Sequence, residues 1–179
     1  NEGLIFDGRS ILLSLAALFG GVVSAGLAVI PVIFYRFWLG GYGALVGVVV
    51  TLNSVLLGIL ARVYLKKFQE KHPLLFFYAL GLAVHAAMVL MMLALPGGRG
   101  PEVFNKILLP VMLIYPFATW LIGLFFREKG KKIESEQKLL ESEEKFRALA
   151  ENAADVIMRF DREHRHLYVN PSVQRYEKK

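Results

Sequence analysis

Four long stretches of this chain contain no Asp, Glu, Lys or Arg, and they constrain its fold more than any other feature. Each is strongly apolar, and together they cover most of the first two thirds of the sequence: Ser10–Tyr35, Phe37–Ala61, His72–Gly98 and Ile107–Phe126. A helix needs about 20 apolar residues to cross the ~30 Å hydrocarbon layer of a bilayer. Buried helices of a soluble protein would show a polar stripe at the helical period, which these stretches lack. The sequence therefore predicts an all-α polytopic membrane protein.

Charge is distributed very unevenly along the chain. Residues 1–126 carry 8 Lys or Arg and 4 Asp or Glu, whereas residues 127–179 carry 13 and 11. This pattern excludes a soluble globular enzyme and a disordered protein, and the absence of cysteine excludes a disulfide-stapled secreted domain. The net charge of +6 is too dispersed for a nucleic-acid-binding surface. We therefore predict the lipid bilayer, and no nucleic acid, as a partner.

Basic residues gather at two places between and after the apolar stretches. One cluster separates the second and third stretches, and the other follows the fourth: Arg62, Lys66, Lys67 and Lys71, then Arg127, Lys129, Lys131 and Lys132. If every stretch crosses the membrane once, both clusters lie on the same side. The positive-inside rule makes that side cytoplasmic, so we expect a cytoplasmic C-terminus.

The first apolar stretch, Ser10–Tyr35, is longer than a crossing requires. Its 26 residues would form a helix of about 39 Å. Tilting, or a kink at Pro31, is the simpler explanation. The alternative is a break at Gly20-Gly21, with Ile11–Phe19 as a half-span and Val22–Trp38 as the full crossing. Unwound backbone inside a membrane survives only where protein or a wet cavity covers it, so a break would mark a site.

Polar side chains in or beside the stretches are the candidate ligand-binding residues: Asp7, Arg9, Ser10, Arg36, Asn53 and His85. An arginine at the end of a span usually extends to the lipid headgroups, but its guanidinium group can also hold a carboxylate or phosphate bidentately. If the first stretch folds back, Arg9 and Arg36 would face one pocket and share an anion. Near the middle of their spans, Asn53 and His85 should turn towards neighbouring helices. We expect Asn53 to form an interhelical hydrogen bond, and His85 either to do the same or to contact a ligand.

Catalytic, metal-binding and cofactor-binding motifs are missing from the sequence. His85 is alone near the middle of its span, and a lone histidine without cysteine cannot make a metal site. The only glycine-rich runs lie in predicted membrane turns, so no phosphate-binding loop is identifiable. We predict no metal, no identifiable cofactor and no catalytic domain in this chain. Gly43-Ala-Leu-Val-Gly47 is a small-xxx-small pattern that indicates either dimerisation or close packing within the chain.

Residues 128–150 are charged and helical in character. Ile133 and Leu140 are seven residues apart, as are Leu139 and Phe146. We predict a rigid helical connector paired with its twin in a homodimer, with a single solvated helix as the alternative.

The periodicity changes after Asn152. Val156–Phe160 and His166–Val169 are predicted to form two strands joined by a polar turn, and Asn170-Pro-Ser172 opens a short helix. One hairpin cannot bury a core, so residues 151–179 are the beginning of a domain.

Three motifs in order resemble the five-transmembrane LytS–YhcK-type sensor domain, and the resemblance covers residues 1–127. They are Phe6-Asp-Gly-Arg-Ser10, Leu18-Phe-Gly-Gly21, and Tyr35-Arg36 followed by Gly40-Gly41 and Gly43-Ala44. That family has a further span upstream of the Asp-Gly-Arg motif. The resemblance therefore implies that one span is missing here, and that with it four spans become five.

A second resemblance begins in the polar tail. The segment Glu141-Ser-Glu-Glu-Lys-Phe-Arg-Ala-Leu-Ala-Glu-Asn152, followed by Asp155-Val-Ile and Tyr168-Val-Asn-Pro171, resembles the opening of a PAS domain with its signalling helix. The implied organisation is a sensor domain over residues 1–127, a helical linker over 128–150 and an incomplete PAS domain over 151–179.

Together the resemblances imply the sensory half of a bacterial signalling protein in the inner membrane. The implied output is a sensor histidine kinase of a two-component phosphorelay, or alternatively a diguanylate cyclase, and neither is encoded in these residues. The leading hypothesis is a receptor that binds a small ligand, such as an anion, among its spans. A small transporter subunit and an anchor without a ligand are the alternatives. The PAS-like start favours the receptor, because a transporter has no use for a signalling helix.

Overall fold

The computed structural model describes residues 8–41, 43–95, 98 and 100–174. Helices α1 to α5 span Arg9–Leu39, Ala44–Tyr64, Lys66–Lys71, Pro73–Met91 and Gly100–Asn152, and strands β1 and β2 span Met158–Phe160 and His166–Val169. Single 3₁₀ turns follow at Met92–Ala94 and Pro171–Val173. Within the described residues, four helices (α1, α2, α4 with its 3₁₀ turn, and α5) are long and apolar enough to cross a membrane. The prediction of an all-α polytopic membrane protein is confirmed.

Helix α1 is interrupted at Gly21, whose φ of 74° and ψ of −163° are not helical. A positive φ of this kind is accessible to glycine without strain. It separates a first arm, residues 9–20, from a second arm, residues 22–39. The guanidinium carbon of Arg9 lies 5.8 Å from the centre of the Tyr35 ring, whereas a continuous helix would place the two residues about 39 Å apart. The first apolar stretch is therefore a helical hairpin that reverses at Gly21.

This hairpin corrects two sequence-based expectations. Tilting or a kink at Pro31 is the wrong explanation for the length of the stretch, because the chain turns back on itself instead. The assumption of a single crossing is also wrong for this stretch, since Arg9 lies at the same end as Tyr35. Counted as two arms, α1 contributes two of five apolar helical segments among the described residues, the others being α2, α4 and the apolar part of α5. The further upstream span that the resemblance implies stays a prediction.

The first arm is the more buried of the two. It contributes most of the buried residues of α1: Ser10, Ile11, Leu13, Ser14, Leu15, Ala17 and Leu18. Along the second arm, large apolar side chains such as Val22, Leu27 and Ile30 are more than 60% exposed. Exposed apolar side chains suit contact with lipid tails, which are as apolar as leucine. The first arm is thus a central element, and the second arm lies at the lipid-facing side.

Small residues line the face of α2 that packs against α1. They recur every three or four positions: Ala44, Gly47, Thr51, Ser54, Gly58 and Ala61. A Cβ atom on Gly58 would overlap the backbone oxygen of Ser14 and lie 2.8 Å from Cβ of Ala17, so a glycine is required there. The Arg36 side chain of the second arm lies against Gly47. The small-xxx-small pattern ending at Gly47 therefore serves packing within the chain, one of the two alternatives given above.

Helices α4 and α5 also approach closely through glycine. A Cβ on Gly81 would lie 2.8 Å from Cα of Pro116, and one on Gly123 would overlap the Phe77 ring. Two clusters of buried apolar side chains form the core of the bundle. The first contains Ile11, Leu15, Leu18, Ala61, Phe76, Phe77, Leu80 and Val84, and the second contains Met88, Val89, Met92, Leu95, Ile107 and Val111.

The chain divides into two compact units, Asn1–Arg127 and Glu128–Lys179. In the second unit, exposed ion pairs join residues one turn apart on α5, including Lys138 with Glu134 at 2.6 Å. The hydrogen bond and the charge of Lys138 lower the pKa of Glu134, and Glu134 in turn raises the pKa of Lys138. Apolar side chains on the same helix are more than half exposed: Ile133, Leu139, Leu140 and Phe146. Pairing of this helix with a second copy stays a prediction.

Strands β1 and β2 form the predicted antiparallel hairpin, with Met158 opposite Val169 and a bulge after Arg159. The fully buried side chain of Asn170 joins this hairpin to the end of α5. Its Nδ2 donates to the carbonyl oxygens of Ala150 at 2.7 Å and Asp155 at 2.9 Å, and its Oδ1 accepts from the N–H of Ile157 at 3.0 Å. The assignment of this segment to a PAS domain stays a prediction.

Candidate functional site

The candidate ligand-binding residues fall on three helices of the first unit. Arg9 and Ser10 open the first arm, and Arg36 lies in the last turn of α1. Asn53 lies on α2 and His85 on α4. Asp7 lies outside the described residues. Within the part of the chain that the structure describes, no three His, Asp or Glu side chains come together as metal ligands.

Ser10 and His85 are in direct contact. The Ser10 Oγ lies 3.0 Å from Nε2 of His85, and the His85 Nδ1 lies 2.7 Å from the carbonyl oxygen of Gly81. Because a carbonyl oxygen can only accept, the ring proton belongs on Nδ1, and Nε2 of a neutral ring accepts from the Ser10 hydroxyl. Both residues are at least 95% buried. This hydrogen bond joins the first arm to α4 inside the bundle.

Two further groups complete the surroundings of this pair. The Tyr115 ring on α5 meets the His85 ring edge-on, with the ring centres 5.1 Å apart. The thioether sulfur of Met88 lies 3.9 Å from the Ser10 Oγ. His85 thus turns towards neighbouring helices, and it touches residues of the first arm, α4 and α5.

The hairpin brings Arg9 and Arg36 to one end of the bundle. Arg9 lies over the ring of Tyr35 in a cation–π contact, and Arg36 is the next residue along the chain. The Arg36 guanidinium group reaches α2 at Gly47. A guanidinium group can bind a carboxylate or a phosphate through paired hydrogen bonds, so both arginines stay candidate anion ligands at this end of the bundle.

Asn53 does not behave as predicted. It shares a face of α2 with Val50 and Leu57, which pack against the two apolar clusters. Its buried amide nitrogen Nδ2 has no hydrogen-bond partner among the described residues. The expected interhelical hydrogen bond of this group is therefore absent from that part of the chain. A buried amide donor without a partner is costly, which makes Asn53 a donor available to a polar ligand.

Arg62 makes a contact with the first arm that the sequence did not predict. Its Nη1 donates to the carbonyl oxygens of Leu18 at 2.9 Å and Phe19 at 2.6 Å. These carbonyls end the first arm, where the break at Gly21 removes their helical N–H partners. Arg62 stands directly after an uncharged stretch, so its position indicated only membrane orientation. In the sequence, only the Gly20-Gly21 pair indicated that backbone carbonyls before a break would need a hydrogen-bond donor from another helix.

A double-mutant cycle over Ser10→Ala and His85→Ala measures the buried hydrogen bond. We expect a coupling energy of about 0.6 kcal/mol and no more than about 1.7 kcal/mol, because hydrogen bonds between membrane helices are modest. Equilibrium unfolding in a fixed detergent gives the four free energies. A coupling energy of zero would mean that the two side chains do not interact in the folded protein.

Fold and site together define a polytopic membrane protein with a broken helix at its centre and polar side chains around that helix. Residues 1–129 match the family described as "5TMR of 5TMR-LYT". The match covers well over half of the chain, so the chain belongs to this family of membrane sensor domains, which occurs in signalling proteins such as histidine kinases. Searches among curated proteins and among solved structures each found no match. The resemblance to the LytS-type sensor domain is confirmed.

Proposed function

We propose that this chain is the receptor part of a sensor histidine kinase in the bacterial inner membrane, and that a small anion binds beside its first arm. Membership of a family of membrane sensor domains supports the receptor class. The observation that carries the anion site is the contact of Arg9 with the ring of Tyr35, the neighbour of Arg36 along the chain. It places both arginines at one end of the bundle although they flank opposite ends of the stretch.

The chemistry around the two arginines suits a carboxylate or a phosphate. Guanidinium groups bind such anions through paired hydrogen bonds. The first arm begins at Arg9, so the positive end of a broken helix lies at the same place, as in transporters that bind anionic substrates at such ends. Asn53 adds an amide donor in the same bundle. Asp7 remains a candidate from the sequence alone.

Ligand binding would act through the packing of the first arm. That arm contacts α2 through Ser14 and Gly58, and α4 through Ser10 and His85. A ligand shifts such a bundle when it binds one of two packings more tightly than the other. Helix α5 places Tyr115 against His85 and runs on to Asn152, which supports a relay through residues 128–150 to a PAS domain in a homodimer. The same relay would serve a diguanylate cyclase as the output.

A thermal-shift screen against small carboxylates and phosphates tests the anion site. At a ligand concentration 100 times the Kd, we expect stabilisation of the purified chain by about 2.7 kcal/mol. Arg36→Ala should abolish this stabilisation. Lys106→Ala removes one positive charge from an exposed ion pair on α5 and should retain it. Equal loss in both variants, or no stabilising anion at all, would contradict the proposal.

A small transporter is the second candidate, because the broken α1 and the buried Ser10–His85 pair are features that transporters share. Uptake of the stabilising anion into proteoliposomes distinguishes the two functions. The receptor proposal predicts binding without uptake. Accumulation of the anion inside the vesicles would favour the transporter.

A further inference from the structure

Helix α3 carries three lysines that have no ion-pair partner among the described residues. Lys66, Lys67 and Lys71 are all exposed, and α3 contains a single carboxylate, Glu70. Among the described residues, none of these three ammonium groups has a hydrogen-bond or ion-pair partner. The lysines of α5 differ, because five of them lie within 4.0 Å of a glutamate one turn away: Lys106, Lys131, Lys132, Lys138 and Lys145.

The surface that presents these lysines is fixed in place. The Phe68 ring of α3 packs edge-on against the Phe76 ring of α4, with the ring centres 6.5 Å apart, and it is tilted against the His72 ring, with the centres 5.5 Å apart. The N–H of His72 donates to the carbonyl oxygen of Phe68 at 2.8 Å. Helix α3 is therefore held against the beginning of α4. Lys66, Lys67 and Lys71 therefore lie on a packed helix and not on a loop, and we call this basic surface the platform.

The flanking residues indicate that the platform lies at the bilayer surface. Tyr64 ends the spanning helix α2 and is 76% exposed, and Leu65 beside it is 47% exposed. Tyrosine is enriched at the membrane–water interface, where its ring meets lipid and its hydroxyl meets water. Lysine suits the same depth, because its methylene chain lies along apolar surface while its ammonium group reaches the headgroups.

We propose that Lys66, Lys67 and Lys71 form a binding site for the phosphate headgroups of anionic lipids. Clustered lysines beside a spanning helix are attracted to anionic membranes. The lipid supplies from outside the negative charge that glutamates supply on α5. Arg62 lies one turn before this site and holds the carbonyls of Leu18 and Phe19, so a bound lipid sits next to the residue that ends the first arm. The proposal is independent of the anion site at Arg9 and Arg36.

Lipid binding by the full chain in nanodiscs tests this site. The chain is reconstituted in phosphatidylcholine with increasing phosphatidylglycerol, and the lipids retained per protein are counted by native mass spectrometry. The triple variant Lys66→Gln, Lys67→Gln, Lys71→Gln should bind phosphatidylglycerol about tenfold or more weakly than wild type. A control variant with Lys132, Lys138 and Lys145 changed to Gln loses the same charge and should bind as wild type does.

Three results would overturn the proposal. One is wild-type affinity in the α3 variant, and another is equal loss of affinity in the control variant. A third is displacement of phosphatidylglycerol by inorganic phosphate at matched concentration, which would make the site one for free phosphate. The α3 variant should unfold at the wild-type temperature in pure phosphatidylcholine, because its lysines have no described partners. An unchanged unfolding temperature would show that reduced binding does not reflect misfolding.

Discussion

Replacement of Arg62 by alanine should destabilise the membrane unit by about 2 kcal/mol, because hydrogen bonds from a charged donor contribute about 1.5–3 kcal/mol. The variant leaves the carbonyl oxygens of Leu18 and Phe19 without the guanidinium donor that ends the first arm. Arg62→Lys keeps the charge but replaces a planar fork by a single ammonium group, so its loss should be intermediate. Equilibrium unfolding by SDS titration in a fixed lipid–detergent mixture measures both.

Glu70→Ala is the matched control for Arg62. Glu70 is exposed on the neighbouring helix α3 and has no hydrogen-bond or ion-pair partner among the described residues. Its replacement should change the free energy of unfolding by no more than about 0.5 kcal/mol. If Arg62→Ala were as mild as this control, the guanidinium group would not stabilise the reversal at Gly21.

Gly58→Ala should lower the free energy of unfolding by about 3 kcal/mol, at least as much as Arg62→Ala does, because overfilling a tightly packed interface forces backbones apart. The added methyl group would overlap the backbone oxygen of Ser14 and crowd Ala17, so α2 and the first arm would have to separate. Thermal unfolding in detergent and the chemical unfolding used for Arg62 should both report the loss.

Gly26→Ala provides the contrast on the second arm. A Cβ atom at Gly26 would meet no described atom within 4 Å, and Gly26 is exposed. Alanine is favoured over glycine in a helix by about 1 kcal/mol, so this variant should be neutral or slightly stabilised. Equal stability of Gly58→Ala and Gly26→Ala would show that the close approach of α2 to the first arm does not exist.

The spans were predictable because a bilayer selects for length and the absence of charge, and both can be counted in the sequence. The sequence left two explanations open for the long first stretch: tilting or a kink at Pro31, and a break at Gly20-Gly21. Glycine permits a positive φ but does not require one, so residues distant in the sequence decide whether the chain turns. In this chain the two deciding residues are Arg62, whose guanidinium group caps the first arm, and Gly58, whose lack of a side chain leaves room for the backbone of that arm.

The candidate site was predictable to a similar extent. Arg9 and Arg36 were expected to share a pocket only if the chain folded back. The chain does fold back and places Arg9 over Tyr35, the neighbour of Arg36, whereas the shared pocket stays a prediction. The Ser10–His85 contact joins residues 75 positions apart, and no local pattern encodes such a pairing. Arg62 was missed because an arginine at the end of a span has an adequate explanation in membrane orientation. The Asn53 hydrogen bond was expected from a general rule for polar side chains in membranes, and this bundle does not follow the rule among its described residues.

The distance between residues 8 and 38 tests the central claim, that the chain reverses at Gly21 and brings Arg9 and Arg36 to one end. The chain contains no cysteine, so Gly8→Cys and Trp38→Cys, both at exposed positions, give the only two thiols for spin labels. Pulsed electron paramagnetic resonance on the full chain in nanodiscs should give a distance below about 20 Å, whereas a continuous helix would give about 45 Å. A label pair at Val22 and Trp38, within the second arm, calibrates the measurement at about 24 Å. A distance near 45 Å between residues 8 and 38 would contradict the hairpin and the anion site built on it.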